Sequence, residues 1–118
     1  MFEEIFKTFY EKNKEIKAIG VWGKDGLELE KKYFSHSRDI DVDLELSGAE
    51  IADIIARLDN TKISPRFFII KLSLKNYLVI IVSLTSDYFL MILSEPGIIE
   101  GKLNFYLNLY KNQLIAAL

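Results

Sequence analysis

The chain has 118 residues, half of them apolar and 27% charged, with a net charge of −2 and no cysteine. That is long enough for one domain with its own core, burying roughly two thirds of the extended chain's surface without disulfides or structural metals. The missing thiols exclude cysteine nucleophiles, Cys-ligated zinc and disulfide bracing, and the slight acidity offers no basic field to nucleic acid or anionic lipid.

Phe2, Ile5, Phe6 and Phe9 recur at helical spacing over residues 2–13, with Glu3, Glu4, Lys7 and Glu11 opposite, which predicts a first amphipathic helix. The early acidic residues do not suit a signal peptide, and the apolar runs are far short of a membrane span, so a cytoplasmic protein with no membrane insertion is expected. From Ala18 to Phe34 the pattern becomes extended around Asp25-Gly26, a strong hairpin turn pair. Leu27 and Leu29 alternate with Glu28 and Glu30, giving the second strand one wet face. Gly20, Gly23 and Gly26 lie three apart, but a phosphate-binding loop needs a different spacing and a helix after it. Here a strand follows, so the glycines belong to a hairpin.

Residues 35–46 form an acidic connection. Ser47 and Glu50 then make a capping box for a second helix, in which Ile51, Ile54, Ile55 and Leu58 supply the apolar face. Ala49, Ala52 and Ala56 form a small-residue stripe beside that face. Three strands follow, RFFIIKLSL, YLVIIVSL and YFLMILS, joined by turns short enough for antiparallel hairpins. The last two are apolar at nearly every position, so both sheet faces must be covered. The first is wetter, with Lys71 and Ser73 on the same face as Phe67 and Ile69, and suits a sheet edge. After SEPG, residues 98–115 read as a closing helix with Ile99, Leu103, Tyr106, Tyr110 and Leu114 along one side. The order α-β-β-α-β-β-β-α gives an α+β class, a five-stranded antiparallel sheet between helical layers, within one domain spanning 1–118.

His36 has no orienting group or nucleophile beside it and reads as a loop histidine. Asp39, Asp41 and Asp43 match the opening ligand positions of a calcium loop, with Glu50 at the twelfth, but Leu44 occupies the position that requires glycine. A solvated acidic edge accounts for them. Tyr106 and Tyr110, without basic residues interleaved, read as core rather than as a base-stacking platform. No catalytic residue, metal or cofactor is predicted. The alanine stripe is more informative, because Ala49, Ala52 and Ala56 would let a second helix approach closely. The edge strand, through Phe67, Ile69 and Lys71, would offer unpaired backbone to a second copy. Self-association through both elements is the expectation.

Taken in order, GVWGKDGLELE, LSGAEIADIIARL, the three strands and LSEPGIIEGKL resemble the Roadblock/LC7 domain family over nearly the whole chain. That family includes roadblock-class dynein light chains, the gliding protein MglB and Ragulator subunits. Many members carry an asparagine shortly before the glycine matching Gly101, where this chain has Ile98 and Ile99. The resemblance implies first and last helices on one sheet face and the central helix on the other. It also implies homodimers, or heterodimers with a paralogous Roadblock subunit, joined through the central helix and third strand. It further implies binding to a small Ras-like GTPase, sometimes stimulating hydrolysis, or an adaptor role, with Glu50, Asp53 and Arg57 as outward contacts. Arg57 has Asp53 one helical turn away as a salt-bridge partner, so it is not expected to act as an arginine finger. The alternative is a small-molecule-sensing domain of profilin- or PAS-like architecture, which requires a pocket between sheet and helix.

Overall fold

The structure, a computed structural model, describes residues 1–34, 50–57 and 68–118. The expected capping box at Ser47, His36, the acidic loop at 39–43, Ala49, Leu58 and Phe67 lie outside the described residues.

Helix α1 spans Phe2–Lys12, with Glu3 and Glu4 in its first turn and Lys12 in its last, charges that complement the helix dipole. Ile5, Phe6 and Phe9 are buried, as their spacing predicted. Strands β1 (Ile16–Gly23) and β2 (Glu28–Tyr33) form the hairpin. Residues 50–57 are helical and form α2. Strands β3 (Ile69–Ser73), β4 (Leu78–Ser83) and β5 (Tyr88–Ser94) follow, and α3 (Glu100–Ala116) closes the fold. The sheet order is β2-β1-β5-β4-β3, antiparallel throughout, so β5 inserts between β1 and β4 and joins the two hairpin systems. No described helix is long and apolar enough to cross a membrane.

Alternation along the central strands divides the core into two layers. On one face Ile80, Val82, Leu90 and Ile92 pack with Phe6 and Phe9 of α1 and Leu103, Leu107 and Leu114 of α3. On the other, Val79, Ile81, Phe89 and Met91 pack with Trp22 and with Ile51, Ala52 and Ile55 of α2. Burial on both sides explains why β4 and β5 show no polar alternation in sequence.

The glycines have steric reasons for their places. The Trp22 indole folds back over β1, so a Cβ on Gly20 would meet its ring carbons at 2.5 Å. Gly26 adopts φ 88° in the turn, a conformation L side chains rarely take.

Three expectations need correction. Leu27 and Leu29 are exposed rather than covered: Leu27 lies in the turn before β2, and Leu29 near the start of that outer strand. Ile99 is also exposed: it is the extended N-cap residue of α3, outside the helical repeat that buries Leu103, Leu107 and Leu114. The third correction concerns α2. Its buried residues are Ile51, Ala52 and Ile55, while Ile54 is 48% exposed. Ala52 lies near the β1–β2 turn, where a Cβ placed on Gly26 would come to 3.9 Å from its methyl. With Ala52 turned into the core, Ile54, about 160° round from it at 100° per residue, faces away.

Candidate interaction surface

The sheet has two outer strands, and they are built differently. β2 reads Glu-Leu-Glu-Lys-Lys-Tyr, with Glu28 paired to Lys31 at 2.9 Å and Lys32 paired to Glu3 of α1 at 2.9 Å. Such a charged strand resists pairing with another chain. β3 reads Ile-Ile-Lys-Leu-Ser, with a single charge.

Hydrogen bonds at the ends of the β3–β4 pairing establish which way its backbone points. The Leu74 amide donates to the Tyr77 carbonyl at 2.8 Å, and the Ser83 amide donates to the Phe68 carbonyl at 3.0 Å. Ser83 Oγ also accepts the Phe68 amide at 2.8 Å, closing that end. In an antiparallel ladder the bonded positions alternate, so the even-numbered residues face β4. The N–H and C=O groups of Ile69, Lys71 and Ser73 therefore point out of the sheet, and among the described residues no strand pairs with them.

The side chains of β3 divide between the two layers. Phe68 and Ile70 pack against the α2 layer, which places Leu72 and Leu74 on that same face at 39% and 54% exposure. Ile69 borders the α3 layer, and Lys71 Nζ reaches Glu100 Oε1 at the start of α3, 3.0 Å away.

The sequence-derived site residues separate accordingly. Of the alanine stripe, Ala52 is 2% exposed and packs within its own chain, and Ala49 lies outside the described residues. Ala56 is exposed, as are Ile69 and Lys71. Glu50, Asp53 and Arg57 share the outward side of α2, where Arg57 Nη2 meets Asp53 Oδ2 at 3.0 Å. Sequence reasoning missed Ile54, Leu72 and Leu74. A signal for the last two was present, because the even-numbered set Phe68, Ile70, Leu72 and Leu74 is wholly apolar whereas the odd set is broken by Lys71 and Ser73.

The cleft between Ile69, Leu90 and the α3 residues Leu107 and Leu114 has a volume of about 20 Å³, room for a water molecule and far below the few hundred Å³ of a small-molecule site. Among the described residues no three His, Cys, Asp or Glu side chains converge on a metal position.

No family model matches the sequence, and no curated protein matches it. Solved structures do. MglC from Myxococcus xanthus superimposes with a TM-score of 0.74 at 16% identity, covering 99% of this chain and 98% of its own. The gliding protein MglB from Thermus thermophilus gives 0.76 at 9% identity, covering 97% and 85%. A Roadblock/LC7 domain from Streptomyces avermitilis gives 0.71 at 9% identity, covering 94% and 92%. At these identities the likeness is one of fold: the chain has the Roadblock/LC7 fold.

Proposed function

We propose that these 118 residues act as a single dimerising domain, a cytoplasmic regulator or scaffold for a small Ras-like GTPase with no catalysis of its own. The contrast between the two outer strands carries this reading. β2 is protected by charge, whereas β3 leaves outward backbone groups beside exposed Leu72 and Leu74. A second copy brings the same unpaired groups and the same apolar side chains, which is what an isologous contact requires. A paralogous Roadblock subunit would bring an equivalent edge, giving the heterodimeric form.

In this reading Ile69 and Lys71 contribute backbone to the joint, while Ile54 and Ala56 flank α2 where a second copy's helix approaches. Glu50, Asp53 and Arg57 remain outward for the GTPase, a role supported by the likeness to Roadblock/LC7 domains. Arg57 is tied to Asp53, so the reading assigns it no transition-state contact. Any change in hydrolysis then comes from repositioning the GTPase's own groups.

The test is a calorimetric titration against a Ras-like GTPase from the same organism, loaded with GDP or with a non-hydrolysable GTP analogue. The reading expects affinity that depends on the nucleotide. It also expects that reversing the charges of Glu50 and Asp53 weakens binding without changing the protein's mass in solution. Absence of binding in both nucleotide states would overturn the GTPase assignment.

A further inference from the structure

Resting on the self-pairing reading above, we propose that two copies join with Lys71 of each strand at the two-fold axis, and that Glu100 makes this register possible. Within β3 the outward backbone groups are those of Ile69, Lys71 and Ser73, so in a hydrogen-bonded antiparallel joint of this strand these must oppose one another. Two-fold symmetry then leaves three registers within β3, centred on Ile70, Lys71 or Leu72.

The Lys71 register engages all three outward residues, with Ile69 opposite Ser73 and Lys71 opposite itself. The other two registers engage only two of them within Ile69–Ser73. The side chains on the α2 face favour the same choice. Centring on Lys71 sets Leu72 against Ile70 of the second copy and Leu74 against its Phe68, covering both exposed leucines. Centring on Leu72 puts Phe68 opposite Asn76, in the β3–β4 turn. Centring on Ile70 sets Leu72 against Phe68 and leaves Leu74 with no opposite residue among the described ones.

The cost of the favoured register is two lysines facing each other, and like charges directly opposite destabilise a strand pair. Glu100 offsets this cost. Its carboxylate lies 3.0 Å from Lys71 Nζ within the same chain, so the axis carries two ion pairs rather than two bare ammonium groups. Glu100 belongs to neither β3 nor α2, yet it strengthens the joint between the two copies.

The chain has no native cysteine, so single introduced cysteines report on the register without background. Ile70→Cys, Lys71→Cys and Leu72→Cys would be oxidised separately and the covalent dimer followed on non-reducing gels, with masses measured by light scattering. Lys71→Cys should cross-link fastest, because directly opposed bonded residues sit about 5.5 Å apart between Cα atoms, within disulfide reach. Ile70→Cys and Leu72→Cys should cross-link poorly alone and well when mixed. Glu100→Gln should weaken self-association about fivefold at low salt, less at high salt. A dimer that cross-links fastest at position 70 or 72 and is indifferent to Glu100→Gln would overturn the register while leaving the pairing intact. A wild-type monomer with no cross-linking at any position would overturn the pairing itself.

Discussion

The Ala52 methyl of α2 lies 3.9 Å from the position a Cβ on Gly26 would take, so the central helix rests against the β1–β2 turn. The roll of α2 that buries Ile51, Ala52 and Ile55 against the sheet decides which of its residues another chain can touch. A larger side chain at Ala52 has no room to expand. Ala52→Leu should cost about 1–3 kcal/mol in urea unfolding, while Ala56→Leu, on the exposed side, should stay within about 0.5 kcal/mol of wild type. Equal stability of the two variants would contradict the observed roll.

Two glycines separate packing from backbone effects. Gly20→Ala drives a methyl into the Trp22 ring, 2.5 Å from its built position, and should destabilise by about 1–3 kcal/mol. Gly97→Ala meets nothing within 4 Å and should be nearly neutral. Urea midpoints for both, beside tryptophan fluorescence of the Gly20 variant, check the pair. An unperturbed Gly20→Ala protein would mean the indole does not lie over β1.

The Asp53–Arg57 pair is exposed on both sides, at 63% and 79%, and surface pairs of this kind contribute roughly 0–1 kcal/mol. Arg57→Ala should therefore leave the unfolding free energy almost unchanged. Under the proposed function it should change affinity for the GTPase by severalfold. A large loss of stability with no change in affinity would assign the residue a structural role instead.

Acid should loosen the tie between α1 and β2. Lys32 Nζ donates to Glu3 Oε1 at 2.9 Å, and that hydrogen bond, with the lysine's charge, holds the Glu3 carboxyl below its ordinary value of 4.5. Because the folded-state value is the lower one, the stabilisation is present above 4.5 and lost as pH falls through the folded value. Thermal midpoints of wild type and Glu3→Gln should differ by a small constant amount near neutrality and converge below pH 4.5. A gap that widened on acidification would contradict the pairing. Glu3 is exposed and Lys32 partly so, which keeps the step small.

Much of the fold was legible because local patterns and tertiary burial agree. The i, i+3, i+4 spacing of Phe2, Ile5 and Phe6 and the turn chemistry of Asp25-Gly26 are local signals, and the unbroken apolar run of β4 leaves no alternative to burial on both faces. The roll of α2 was not legible. Ile51-Ile54-Ile55 and Ile51-Ala52-Ile55 both satisfy helical spacing, and it is packing against sheet residues distant in sequence, Trp22, Phe89 and Met91 among them, that buries the second set. The edge position of β3 was legible from Lys71 and Ser73, but the apolar set Phe68, Ile70, Leu72 and Leu74 was not read from the same strand. The charged side of α2 at Glu50, Asp53 and Arg57 needed no such knowledge, since polar residues at helical spacing point to solvent wherever the helix docks.

The account turns on whether β3 pairs with a second copy, and solution mass measures this most directly. Light scattering on wild type and on the double variant Ile54→Glu, Leu72→Glu, both at exposed positions that leave the core intact, separates the possibilities. The account predicts a wild-type mass of twice 13.7 kDa and a double variant at 13.7 kDa with unchanged secondary structure. A wild-type protein that stays at 13.7 kDa at high concentration, or a double variant that remains dimeric, would contradict it.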